Sequence, residues 1–193
     1  MPRPKAFDVE AALDKAMRLF WLQGYHQTST RDLVAHLEIG RQSLYDTFGD
    51  KKELYLSALD RYLATRLEHH LSKLETLTAS RKEVLEYFAA MVELLDSDSP
   101  SKGCFAVNSI VEMSASDSNV ARRAGAYVNR LEMGFRASIE RSVRRGEVAE
   151  CHDPPAVARF LVSTILGMSV SAIGGASRDS LVDTVSVAVR PLY

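Results

Sequence analysis

Apolar residues recur at three- and four-residue intervals along most of the chain, with little strict alternation, and this period predicts a protein built of helices. Asp8 is placed to cap a first helix that carries Val9, Leu13, Ala16, Met17 and Phe20 on one face and ends at Gly24. Ser29-Thr30-Arg31-Asp32 reads as a capping box, and opens a second helix with Leu33, Val34 and Leu37 turned inward. A third runs from about Arg41 to Phe48, with Leu44 and Phe48 inward. Asp50-Lys51-Lys52-Glu53 reads as another capping box and starts a long fourth helix that extends toward Leu77; a fifth follows Ser80-Arg81-Lys82-Glu83. Residues 97 to 103, SDSPSKG, have loop composition. Beyond them the pattern predicts a sixth helix over Cys104 to Ser114 and a seventh over Asn119 to Arg145. An eighth begins at Asp153-Pro154, and a ninth covers Asp179 to Val189. The expected fold is all-α with about nine helices, divided into a head of residues 1 to 50 and a body of residues 51 to 193.

The second and third helices are separated only by Glu38-Ile39-Gly40. Two short helices joined by a tight turn and packed on a third form a helix-turn-helix, whose second helix enters a DNA major groove. With Leu33, Val34, Leu37, Ile39, Leu44 and Phe48 taken by the core, Arg41, Gln42, Ser43, Tyr45, Asp46 and Thr47 face outward or lie at an edge. Arg and Gln suit guanine and adenine edges, Ser and Tyr suit phosphates, and Thr suits a thymine methyl. Three helix starts, at Arg31, Arg41 and Lys51-Lys52, combine free backbone N–H groups with a cation, and a phosphate satisfies both. The fifth helix also begins with Arg81-Lys82, so a basic helix start alone does not identify a DNA contact.

Composition narrows the classes without choosing among them. The chain has 193 residues, 46% of them apolar, and a formal net charge of −1, which fits an ordinary protein with a sizeable core. Residues 1 to 53 hold eight Lys or Arg and eight Asp or Glu, so any DNA-binding face depends on local placement. The basic arm Arg3-Lys5 offers a further phosphate or minor-groove contact. The opening MPRPKAFD lacks the apolar run of a signal peptide, and Cys104 and Cys151 are too few for a disulfide framework, so a cytoplasmic protein is expected. Phe160 to Ser177 carries no charge over 18 residues, but five hydroxyl residues and three glycines favour a buried interface helix over a membrane span. There is no Gly-x-Ser-x-Gly elbow, phosphate-cradling glycine loop, His-Glu-x-x-His or Cys-x-x-Cys, and neither an enzyme, a cofactor nor a metal is expected. Residues 121 to 145 hold seven arginines against two glutamates, the feature that favours a helical protein-binding adaptor as the rival reading.

The run TSTRDLVAHLEIGRQSLYDTFGDKKELYLSAL, preceded by ALDKAMRLFWLQGYHQ, resembles the DNA-binding head of the tetracycline-repressor (TetR) family of transcriptional regulators. Phe20, Gly24, Tyr25, Thr28, Asp32, Leu44, Tyr45, Phe48, Lys51 and Leu54 stand in family-like spacing. The resemblance implies a homodimer whose paired heads reach successive major grooves of a pseudo-palindromic operator, a repressor released by a small-molecule effector. It implies DNA contacts by Gln42, Ser43 and Tyr45, with a phosphate held at Lys51; Thr28, Thr30, Arg31, Arg41, Thr47 and Lys52 complete the candidate DNA set. Glu38, Gly40 and Asp46 depart from the family pattern.

Over the body the resemblance is architectural and implies dimerisation through the last two long helices. Small residues at Ser163, Gly167, Ser171 and Gly174 permit close helix approach, and Leu181 and Val185 share a face of the ninth helix. In the sixth helix Cys104, Asn108 and Glu112 recur at four-residue spacing inside an apolar segment, a polar stripe that either lines an effector cavity or makes interhelical hydrogen bonds. Tyr87, Met91, Tyr127 and Leu131 are the candidate neighbours of such a cavity. Cys104, after Lys102-Gly103 at a helix start, is either a thiol reactive toward oxidants and electrophiles or a small buried hydrophobe.

Overall fold

The computed structural model describes residues 7–96, 103–148 and 153–193; the arm Arg3-Lys5, Lys102 and Cys151 lie outside the described residues. Among the described residues the regular structure is helical: α1 (Val9–Gln23), α2 (Thr30–Leu37), α3 (Arg41–Phe48), α4 (Lys51–Tyr62), α5 (Glu68–Glu75), α6 (Arg81–Leu95), α7 (Phe105–Met113), α8 (Ser118–Arg144), α9 (Pro154–Ile173) and α10 (Arg178–Ala188). The sequence pattern places these boundaries to within a few residues. The long fourth helix is the exception, since a π-helical turn at Leu63–Leu67 divides it into α4 and α5.

Capping fixes the starts. Asp8 accepts from the N–H groups of Glu10 and Ala11 at 2.9 and 3.2 Å. Full capping boxes form at Ser29–Asp32 and Ser80–Glu83, while Asp50 caps α4 by accepting from the Glu53 N–H at 2.9 Å.

Of the predicted head core, Leu33, Leu37, Ile39 and Leu44 are buried with Ala16 and Phe20, while Val34 and Phe48 are only partly buried against it. α1 is also the element that ties head to body, because it packs against α4 along most of its length. Arg61 on α4 reaches Asp14 at 2.9 Å and Glu10 at 2.5 Å across that seam. Edge-to-face aromatic contacts run from Phe20 to Tyr55 and on to Phe105 on α7, at centroid separations of 5.0 and 5.5 Å. Trp21 joins the same cluster through Tyr62 at 5.0 Å. Each such pair contributes about 0.5–1.5 kcal/mol beyond its buried area.

α8 is the axis of the body, packing on α5, α6, α7 and α9. Its arginines bind the chain itself. Arg130 is bidentate to Glu68 at 3.0 and 3.1 Å and also holds Glu75 at 2.8 Å. Arg123 holds Asp60, and Arg141 and Arg145 donate to the carbonyls of Ala79 and Thr78. The basic face that favoured an adaptor is therefore largely committed to intramolecular bonds.

Candidate nucleic-acid interface and the head–body junction

α3 begins at Gly40, which caps without a side-chain hydrogen bond, so its first-turn N–H groups have no side chain closing them off. Arg41, Gln42 and Ser43 are exposed in that first turn. Gln42 Nε2 donates to Asp46 Oδ1 at 2.8 Å, which gives the carboxylate a partner and turns the Gln42 amide before any DNA arrives. The Arg41 guanidinium lies 5.6 Å from the centroid of the Tyr45 ring. Hydrogen bonds from Thr30 and then Arg41 hold the Tyr45 phenol below its ordinary pKa. Thr30, Arg41 and Tyr45 thus form one polar cluster that spans the starts of α2 and α3. Arg31 is exposed, and Thr47 is half-buried on the far side of α3.

Three residues of the predicted DNA set have other engagements. Thr28 is completely buried, and its hydroxyl donates to the Gly24 carbonyl at 2.6 Å. It closes the turn between α1 and α2 and has no surface to offer a phosphate, which corrects its assignment. The Lys52 ammonium pairs with Asp117 at 2.6 Å; this raises the lysine pKa and lowers that of the carboxylate. Lys52 thereby joins α4 to the cap of α8. Lys51 lies over the Tyr25 ring, 4.2 Å from its centroid, with partial burial lowering its pKa.

The polar stripe on α7 exists, but its members do not share one chamber. Cys104 is buried; Tyr62 donates its hydroxyl to Sγ at 3.4 Å, and burial pushes the thiol pKa up. Tyr87 and Tyr127 hydrogen-bond to each other through their hydroxyls near this thiol, and burial raises the pKa of both phenols. Tyr62, absent from the sequence-derived set, completes this buried cluster; nothing in its own helical spacing distinguished it from an ordinary core aromatic. Met91 and Leu131 are core residues.

Glu112 does not join that cluster, because its carboxylate leaves the body. Oε2 accepts the Tyr25 N–H at 2.9 Å and Oε1 accepts the His26 N–H at 2.8 Å, so it holds two successive amides of the α1–α2 turn. Gly24 makes room for this grip: its φ is +80°, and a Cβ there would stand 2.8 Å from Oε2. Beside this contact a cavity of about 450 Å³ opens between the end of α1, α7 and the end of α9, with Trp21, Gln23, Asn108 and Glu112 in its lining.

The residues named for close helix packing, Ser163, Gly167 and Ser171 on α9 and Gly174 at its C-cap, are all exposed. A groove of about 610 Å³ runs along the same surface between α9 and α10. Leu181 turns into the chain's own core, and Val185 is half-buried.

Comparison with known proteins settles the family. The description "Bacterial regulatory proteins, tetR family" matches residues 12–58, and "Tetracyclin repressor-like, C-terminal domain" matches residues 81–178. This chain belongs to the TetR family. An uncharacterized HTH-type transcriptional regulator of Bacillus subtilis 168, YezE, is 34% identical over 193 residues, spanning 100% of both chains. The HTH-type transcriptional repressor ComR of Escherichia coli K12 is 34% identical over 189 residues, covering 97% of this chain and 90% of that one. Among solved structures, a cysteine-substituted form of the TetR family regulator CifR, complexed with a 26-base-pair operator DNA, matches with a TM-score of 0.86. It is 30% identical and covers 99% of this chain and 100% of that one. This TetR family protein is a DNA-binding transcriptional regulator and not an enzyme.

Proposed function

We propose that this TetR family regulator is a cytoplasmic homodimeric repressor that occupies a pseudo-palindromic operator through α3 and is released when a small molecule binds its body. The observation that carries the DNA reading is the start of α3, where exposed Arg41, Gln42 and Ser43 surround backbone N–H groups with no side-chain cap. Tyr45 and Thr30 extend that row, Lys51 and Arg31 supply cations at neighbouring helix starts, and Thr47 flanks it. Repression is supported by the description of ComR as a repressor.

Dimerisation is supported by α9. The helix is 20 residues long and apolar enough to meet the length and composition of a membrane span, yet less than half of its apolar window is buried in the single chain. Its exposed small residues continue into Phe160, Val182 and Val187, and a second copy of the chain covers such a face at low cost. A thiol-sensing version that acts through Cys104 has the geometry against it, since the thiol is buried, held by Tyr62 and raised in pKa.

The test is selection of bound sequences from random DNA, followed by sedimentation of the complex. Enrichment of a palindrome bound by two or more chains is the expected result. Enrichment of no shared sequence would remove the operator reading.

A further inference from the structure

We propose that the cavity between α1, α7 and α9 is a ligand site for a small amphipathic cation, and that its occupant loosens the head by competing for the Glu112 carboxylate. This rests on the effector-released reading above and assigns the release to a place and a ligand class.

The chemistry of the walls selects the ligand. The volume, about 450 Å³, is in the range that holds small molecules. Leu22, Val111, Val170 and Ile173 line it, and each remains exposed as a large apolar side chain, Val111 at 74%. Such a cluster at the junction of head and body accommodates a hydrocarbon body. Among the described residues Glu112 is the one charged residue in the lining, where it stands with the amides of Gln23 and Asn108. An apolar slot with a carboxylate at one end matches an alkyl or aryl ammonium.

The same carboxylate holds the head. A carboxylate offers roughly four acceptor positions, and the Tyr25 and His26 N–H groups use two of those on Glu112. An ammonium on the two remaining positions pulls the carboxylate toward the cavity and away from these amides, and Lys51, which feels the Glu112 charge, loses part of its counter-charge. One wall of the cavity is α1, a head element, and the others belong to the body. Filling it therefore favours a head position different from that of the empty protein, which is the differential affinity that release requires.

Trp21 lines the cavity and is the chain's only tryptophan, so its emission reports occupancy without a label. The experiment titrates the full chain with n-butylammonium, n-hexylammonium and n-hexanol at fixed ionic strength, and follows Trp21 emission and operator affinity. Saturable binding is expected, tightening about fourfold per added methylene. Hexylammonium is expected to bind about tenfold more tightly than hexanol, the value of one charge-assisted hydrogen bond. Glu112→Gln should erase that advantage, and Val111→Lys, at an exposed position, should repel the ammonium while melting like the parent. Operator-bound protein should bind hexylammonium more weakly by the same factor that hexylammonium weakens operator binding.

No saturable Trp21 response, equal binding of amine and alcohol, or an unchanged amine response in Glu112→Gln would overturn the proposal. So would a change of oligomeric state in Val111→Lys, which would give the patch to a second copy of the chain. Operator release by another molecule, equal in the parent and Val111→Lys, would sink this site and leave the proposed function intact. Absence of any operator would remove the proposed function, and the Trp21 titration would still decide the site.

Discussion

Gln42 and Asp46 make the finest-grained claim on DNA specificity. Asp46 fixes one amide N–H of Gln42, so the oxygen and the remaining N–H are presented in a set direction. Truncating Gln42 to alanine is expected to cost about 1–3 kcal/mol at one base position and little on random DNA. Asp46→Ala should keep the affinity but blur the choice at that same position, and binding to a panel of single-base operator variants measures both. The two neighbouring lysines separate in another assay. Lys51→Ala is expected to flatten the salt dependence of binding by about one ion, whereas Lys52→Ala should leave the slope alone and lower the melting temperature, because it strands the nearly buried Asp117. Spacing alone does not distinguish these lysines: the partner of Lys52 is 65 positions away in sequence, on a loop the helical period says nothing about. Thr28 misleads for a related reason. It stands in family-like spacing beside true surface positions, and only the tertiary turn shows that its hydroxyl is spent on Gly24.

Helices were the most legible level, and α7 shows where legibility stops. Four-residue spacing correctly groups Cys104, Asn108 and Glu112 on one side of a helix, but that side drifts as it climbs. One end therefore meets Tyr62 in the body and the other meets Tyr25 and His26 in the head. The π turn was invisible because Leu63, Leu67, Leu71 and Leu74 already satisfy an ordinary helical period. At the α1–α4 seam, the hydrogen bonds from Arg61 are the largest influence that holds Asp14 below its ordinary pKa of 3.8. A depressed carboxylate adds stability that is present above the ordinary value and is lost as pH falls through the depressed one. Asp14→Asn should therefore lower the midpoint of thermal unfolding at neutral pH and show a shallower decline than the parent below about pH 4, a comparison that parallel melting curves across pH make directly.

At the scale of the whole molecule, an apolar α9 left half-covered is the dominant unsettled surface. Gly167→Glu places a charge and bulk in the middle of the small-residue row, at a position where an added Cβ meets no neighbour within 4 Å. Sedimentation should then show monomers, and operator affinity should fall by more than any single contact explains, since one head reads only half a site. The rod formed by α4 and α5 carries a different kind of information. Its π turn spends one residue beyond what an α-helix of the same span requires, and each residue of a helix is about 100° of rotation. The π turn thus takes up one residue of slack: removing Ala64 would let α4 and α5 run on as a single α-helix of the same span, with Glu68 and Glu75 still turned to Arg130 and the other end still seated on α1. The link between the DNA-reading end and the body therefore holds one residue in reserve: a single deletion in the rod is taken up at the π turn, whereas an insertion would rotate one end against the other by about 100°.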